Sequence, residues 1–172
     1  MKSSMLMWGA ALALASGPAL AQPPGVMKSA LSDLNNNAKG FTGRLQATEA
    51  PTGVLLTVEV QGLAPGWHGM HLHEKADCSA SDFTSAGGHI NHATAKKLHG
   101  LLNPGGPDFG DLPNIYVAAD GTGKAEAFTT LVKFAELTDV DGSALVIHAN
   151  KDDHSAQPIG GAGARVACGV IR

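Results

Sequence analysis

A chain of 172 residues with 44% hydrophobic content fits one domain with one core, and a second domain is not expected. The 22 glycines and 9 prolines, with only 5% aromatic residues, suit short strands joined by turns and argue against a fold of long helices. A net charge of −3 without a basic run leaves no electrostatic footprint for nucleic acid or an anionic membrane surface, so neither partner is expected.

Residues 1–21 have the form of a signal peptide. Lys2 supplies the positive start, Met5 to Ala15 the apolar stretch and Ala19-Leu20-Ala21 a small-x-small cleavage site, so the mature domain is expected over 22–172, beginning at Gln22. The apolar run is too short to span a bilayer comfortably, and nothing later in the chain is membrane-like. No cysteine lies near the segment, which excludes a cysteine-linked lipid. In an oxidising compartment Cys78 and Cys168 are expected to form a disulfide, and two cysteines allow one pairing.

Beyond the leader the pattern is all-β. Val54, Leu56, Val58 and Val60 alternate with Thr57 and Glu59, the signature of a half-buried strand. Similar short runs are expected at Val26–Leu31, Phe41–Thr48, Met70–Glu74, Asn114–Ala118, Ala125–Leu131, Ala144–Ala149 and Arg165–Ile171, making eight strands. Asp120-Gly121 and Asp141-Gly142 mark tight turns. The stretch Lys75 to Pro113 is too long for a passive connection, and a second irregular stretch runs from Asn150 to Ala164.

Eight histidines carry the most information. His71 and His73 flank Leu72 on a predicted strand, so both rings leave the same face while Met70 and Leu72 point to the other. Alone, an H-x-H pair fits surface or core-edge histidines as well as ligands. The long loop adds His89, His92, His99, Asp108 and Asp111, and a distant strand ends at His148. Imidazole suits copper and zinc, and added carboxylate favours zinc, so a mixed cluster points to two different metal sites.

The runs G-M-H-L-H-E-K-A-D-C at Gly69–Cys78, S-A-G-G-H-I-N at Ser85–Asn91, H-G at His99, G-D-L-P-N at Gly110–Asn114, V-I-H at Val146–His148 and A-R-V-A-C-G-V-I at Ala164–Ile171 closely resemble the bacterial, periplasmic copper-zinc superoxide dismutases. The resemblance implies a Greek-key β-sandwich or barrel with long metal-binding and electrostatic loops, one copper and one zinc per subunit, superoxide as substrate and a periplasmic location. It makes His71, His73 and His148 copper ligands, His89 a bridge between copper and zinc, and His99 and Asp111 zinc ligands. It also makes Asp152 the carboxylate joining a copper-binding to a zinc-binding histidine, Arg165 the cation beside the open copper position, and Cys78–Cys168 the disulfide.

Two positions depart from the pattern. Asp108 stands where the family has a third zinc histidine; aspartate binds zinc too, but it is shorter and adds charge, which leaves zinc affinity and occupancy open. Ile90-Asn91-His92 replaces an expected asparagine-proline, and His92 reads either as a replacement ligand or as a solvent-exposed histidine. His68 and His154 have no counterpart as ligands. A copper-buffering protein on the same scaffold is the rival function, since it needs the ligands without Arg165. A homodimer stays open.

Overall fold

The computed structural model describes residues 27–37, 40–92 and 94–172. The signal-peptide reading and Val26 lie outside them. Nine antiparallel strands form one nearly closed barrel: β1 Ser29–Asn36, β2 Phe41–Ala50, β3 Gly53–Val60, β4 Gly66–His68, β5 Met70–His73, β6 Ile115–Val117, β7 Gly123–Thr129, β8 Ser143–His148 and β9 Arg165–Ile171. Their order round the sheet is β4-β6-β7-β3-β2-β1-β9-β8-β5. The placing of β3 beside β7, β1 beside β9 and β8 beside β5 gives the over-and-back connections of a Greek key. The two end strands, β4 and β5, are consecutive in the chain and separated only by Gly69, so the backbone itself joins the two edges of the sheet.

The expected eight strands are therefore nine. The ninth, β4, spans three residues, too few for any alternation to show, and it exists because its backbone pairs with β6. β1 continues through Asn35 and Asn36, which look like turn residues but pair with Cys168 and Ala167 of β9. A one-turn helix, α1 (Phe134–Leu137), buries Phe134 and Leu137 after β7.

Leu34, Leu45, Leu56, Leu72, Leu145 and Ile147 are fully buried inside the barrel, each contributing about 2 kcal/mol of transfer free energy. β8 is buried on both faces. Leu145 and Ile147 face the barrel core, while Ala144 and Val146 pack outside it under Phe83, Ala86 and the half-cystine Cys168. The long loop thus covers one outer wall, and the Cys78–Cys168 disulfide fastens it there, closing 90 residues of chain.

Candidate metal centre

The histidines of β5 emerge on this covered outer wall. Met70 and Leu72 enter the core, which sends His71 and His73 the other way, and pairing with Val146 and Ala144 puts them on the same face as His148. The free edge of β5 receives two arms of the long loop on one residue. Leu72 donates its amide to the Gly110 carbonyl at 2.8 Å and accepts the Ile90 amide at 2.9 Å, which brings Asp111 beside His71 and His89 beside His73. Gly110 must lack a side chain, because a Cβ there would lie 2.3 Å from the Leu72 carbonyl.

Four ring nitrogens converge from His71, His73, His89 and His148, all within 4.8 Å of one another. Which nitrogen each ring presents follows from acceptor-only partners behind it. His73 Nδ1 donates to the Gly87 carbonyl at 3.0 Å and His148 Nδ1 to the Gly163 carbonyl at 2.9 Å. His71 Nε2 donates to Asp152 Oδ2 at 2.8 Å, and His89 Nδ1 to Asp108 Oδ2 at 2.9 Å. The opposite nitrogens, His71 Nδ1 and the Nε2 atoms of His73, His89 and His148, are buried and have no hydrogen-bond partner. A buried orphan nitrogen is costly, and four aimed at one point fit a soft-to-borderline cation such as copper.

The second cluster is His89, His99, Asp108 and Asp111. Each carboxylate has one oxygen tied to backbone amides: Asp108 Oδ1 to Gly110, and Asp111 Oδ2 to Gly100 and Asp108. The other oxygen faces the histidines. His89 Nδ1 lies 2.9 Å from Asp108 Oδ2 and 3.8 Å from Asp111 Oδ1; His99 Nδ1 lies 4.0 and 2.5 Å from the same two atoms. Donors of a tetrahedral zinc stand ~3.3 Å apart, given zinc–ligand bonds near ~2.05 Å, so the four separations bracket the required edge. The structure therefore draws Asp108 into the cluster. It places His92 elsewhere, half-exposed against Phe109 and 3.8 Å from Glu136, outside the cluster.

Asp152 joins the clusters, receiving His71 Nε2 on Oδ2 and His99 Nε2 on Oδ1 at 3.2 Å. Asn114 clasps its backbone twice at 2.9 Å. Gly160, at φ 59°, lets the chain pass where a Cβ would strike Asp152 Oδ1. The Asn114 clasp and the carbonyls of Gly87 and Gly163 are functional contacts that sequence reasoning missed. Asn114 sits in the G-D-L-P-N run, but a backbone carbonyl leaves no trace in residue identity. His68 and His154 serve structure: His68 lies between the carbonyls of His148 and Ala64, and His154 meets Asn114.

The electrostatics follow burial. Burial lowers His71 to about 3, partly opposed by Asp152, and lowers His73 to about 2 and His148 to about 4, so all three are neutral. Burial also acts against the His99 cation, but Asp111 and Asp152 outweigh it and raise the group to about 10. The same contacts, from His71 and His99, hold Asp152 far below the carboxylate range despite its burial.

His73, His89 and His148 open onto a pocket of about 450 Å³ that also includes Arg165. The Arg165 guanidinium donates to the Phe83 carbonyl at 2.6 Å and to the Gly87 carbonyl at 2.7 Å, the latter being the acceptor that also orients His73.

A β-barrel whose outer wall carries an all-imidazole cluster sharing one ring with a two-histidine, two-carboxylate cluster defines a dinuclear metalloprotein of copper–zinc type. The chain belongs to the copper/zinc superoxide dismutase (SODC) family, whose sequence profile matches residues 41–171. It is 57% identical over 136 residues to a Cu-Zn superoxide dismutase of Caulobacter vibrioides, covering 76% of this chain and 78% of that one. A Cu-Zn superoxide dismutase of Aquifex aeolicus is 41% identical over 147 residues, 82% and 85% of the two chains. Among solved structures, a superoxide dismutase-like protein from Bacillus subtilis superposes with a TM-score of 0.76 at 34% identity, over 86% of this chain and all of that one. The Cu/Zn superoxide dismutase of Brucella abortus superposes with a TM-score of 0.67 at 29% identity, over 84% and 100%.

Proposed function

We propose that this chain is an exported superoxide dismutase that converts two superoxide anions and two protons into dioxygen and hydrogen peroxide. Copper would be held by His71, His73, His89 and His148, and zinc by His89, His99, Asp108 and Asp111. The observation that carries the reading is the convergence of four orphan imidazole nitrogens beside a pocket that contains a half-buried arginine. When bound, copper supplies the one-electron couple that takes an electron from one superoxide and returns it to the next, and zinc supports the shared ring.

The residues do the rest. Arg165 keeps its positive charge at any working pH and draws an anion toward the open side of the imidazole cluster. The carbonyls of Phe83 and Gly87 hold its guanidinium, and the Gly87 carbonyl also orients His73, so an anion guided by Arg165 arrives beside the cluster. His89 Nε2, which faces the copper position and has no hydrogen-bond partner, would be the atom that holds a proton for the peroxide product. Asp152 accepts from both His71 and His99, which fixes the direction of each ring.

The leader of residues 1–21 supports delivery to the periplasm with cleavage before Gln22. Protein recovered from the periplasmic fraction and sequenced from its N-terminus should begin at Gln22. The same material, analysed for metals and assayed with superoxide, should hold one copper and one zinc per chain and dismutate. Stoichiometric copper with no dismutation would make the protein a copper buffer and end the enzymatic reading.

A further inference from the structure

Three of the four rings facing the proposed copper position are aimed by the protein alone. His71 has Asp152 behind it, His73 the Gly87 carbonyl and His148 the Gly163 carbonyl. The fourth, His89, sits on the long loop, and its rear nitrogen is the one that zinc would hold. Behind that nitrogen lies Asp108 Oδ2, at 2.9 Å, with Asp108 buried and His89 partly so.

We propose that Asp108 is a positioning residue that aims His89 Nε2 at the copper position whether or not zinc is present, an inference that rests on the functional reading above. A carboxylate oxygen can only accept, so the proton must sit on His89 Nδ1 and the lone pair on Nε2. The same two atoms stand at a separation that a zinc ion can bridge, so either a proton or the cation occupies the space between them. Asp108 is itself held rigidly. Its Oδ1 accepts the Gly110 amide at 2.9 Å, and the Gly110 carbonyl accepts the amide of Leu72, the residue between His71 and His73. Leu72 in turn accepts the amide of Ile90, next to His89. Asp108 and His89 are thus both referred to one residue of β5, Leu72, and the copper half-site assembles without its neighbour.

The test uses the mature protein stripped of both metals and refilled with copper(II) alone from a chelator buffer of known affinity. Copper affinity and the number of coordinating nitrogens, from the hyperfine pattern of the copper(II) electron paramagnetic resonance spectrum, are measured for wild type, Asp108→Ala and Asp108→Asn. Zinc-free wild type should show four nitrogens. Asp108→Ala should bind copper roughly 10–100-fold more weakly with three nitrogens. Asp108→Asn keeps the size and one acceptor oxygen and should fall between, which separates aiming from a collapse of the loop. Four nitrogens and wild-type affinity in Asp108→Ala, or three nitrogens in zinc-free wild type, would overturn the assignment. The fully loaded wild type is assayed alongside; if it binds both metals and fails to dismutate, the enzymatic reading falls while the spectra still answer for Asp108.

Discussion

At the scale of single residues, each candidate ligand is defined by what stands behind it as much as by its own ring. Arg165 shows the same economy, because one carbonyl, that of Gly87, accepts from both the arginine and His73. Removing the guanidinium leaves the four imidazoles and their acceptors in place, since none of the four is held by Arg165 itself. Arg165→Ala is expected to retain copper and lose about tenfold or more in dismutation rate, with a shallower dependence on ionic strength, because the lost contribution is attraction of an anion. Arg165→Lys keeps charge without the two-pronged grip on the carbonyls of Phe83 and Gly87, so its rate should be intermediate. Rates measured across a salt series, with copper content determined on the same samples, check this; a salt slope unchanged in Arg165→Ala would remove the residue from substrate guidance.

At the scale of elements, the centre depends on β5, β8 and the loop that covers them. β8 is buried on both faces only because the loop packs Phe83 and Ala86 over Ala144 and Val146. Cys168 of β9 lies fully buried in that outer cluster and is bonded to Cys78 at the start of the loop. Opening the 90-residue closed loop frees the unfolded chain by up to about 4–5 kcal/mol in the chain-entropy account. The double variant Cys78→Ser, Cys168→Ser should lower the thermal midpoint of the metal-free protein by roughly 10 °C or more. It should also raise the rate at which metal is lost to a chelator, since the arms that carry His89 and Asp111 lie on the same loop. A midpoint within about 2 °C of wild type would mean that packing of Phe83 and Ala86, and not the crosslink, secures the loop.

At the scale of the whole molecule, the metal-free protein carries opposed titrations. His71, His73 and His148 are held neutral, at about 3, 2 and 4, against an ordinary value of 6.5. Below pH 6.5 the unfolded chain binds protons that the folded chain refuses, so stability falls as pH drops from 6.5 through 4 toward 2. His99 is raised to about 10, so its contribution is complete below pH 6.5 and is lost as pH rises through 10. Asp111 and Asp152, both lowered, add to the loss in acid. Denaturant midpoints of the metal-free protein should therefore peak near pH 6.5 and decline on both sides. Metal bound at these nitrogens would replace the His99 proton, so the loaded protein should lose the decline above pH 6.5 and keep the fall in acid. Midpoints of the metal-free protein that rise steadily from pH 6.5 to pH 9 would contradict the charged His99.

Much of this was legible in the residues alone. Alternation located β3 and β5, because a strand with one face in a core must repeat every second position, while β8, buried on both faces, showed only as a short apolar run between turn residues. The H-x-H spacing put two rings on one face for the same reason, and the identities of the histidines and carboxylates bounded the metals. Three-residue β4 and the Asn35–Asn36 end of β1 were invisible, since their strand character comes from the partners β6 and β9 and from no pattern of their own. Whether Asp108 or His92 completes the second cluster could not be read from spacing either. Both lie in one long loop, and only the docking of that loop on the backbone of Leu72 brings Asp108 inward and leaves His92 against Phe109. The choice of free nitrogen on every ring belongs to tertiary structure as well. A tautomer is set by the acceptor behind it, and the carbonyls of Gly87 and Gly163 become acceptors for His73 and His148 only where the folded backbone carries them.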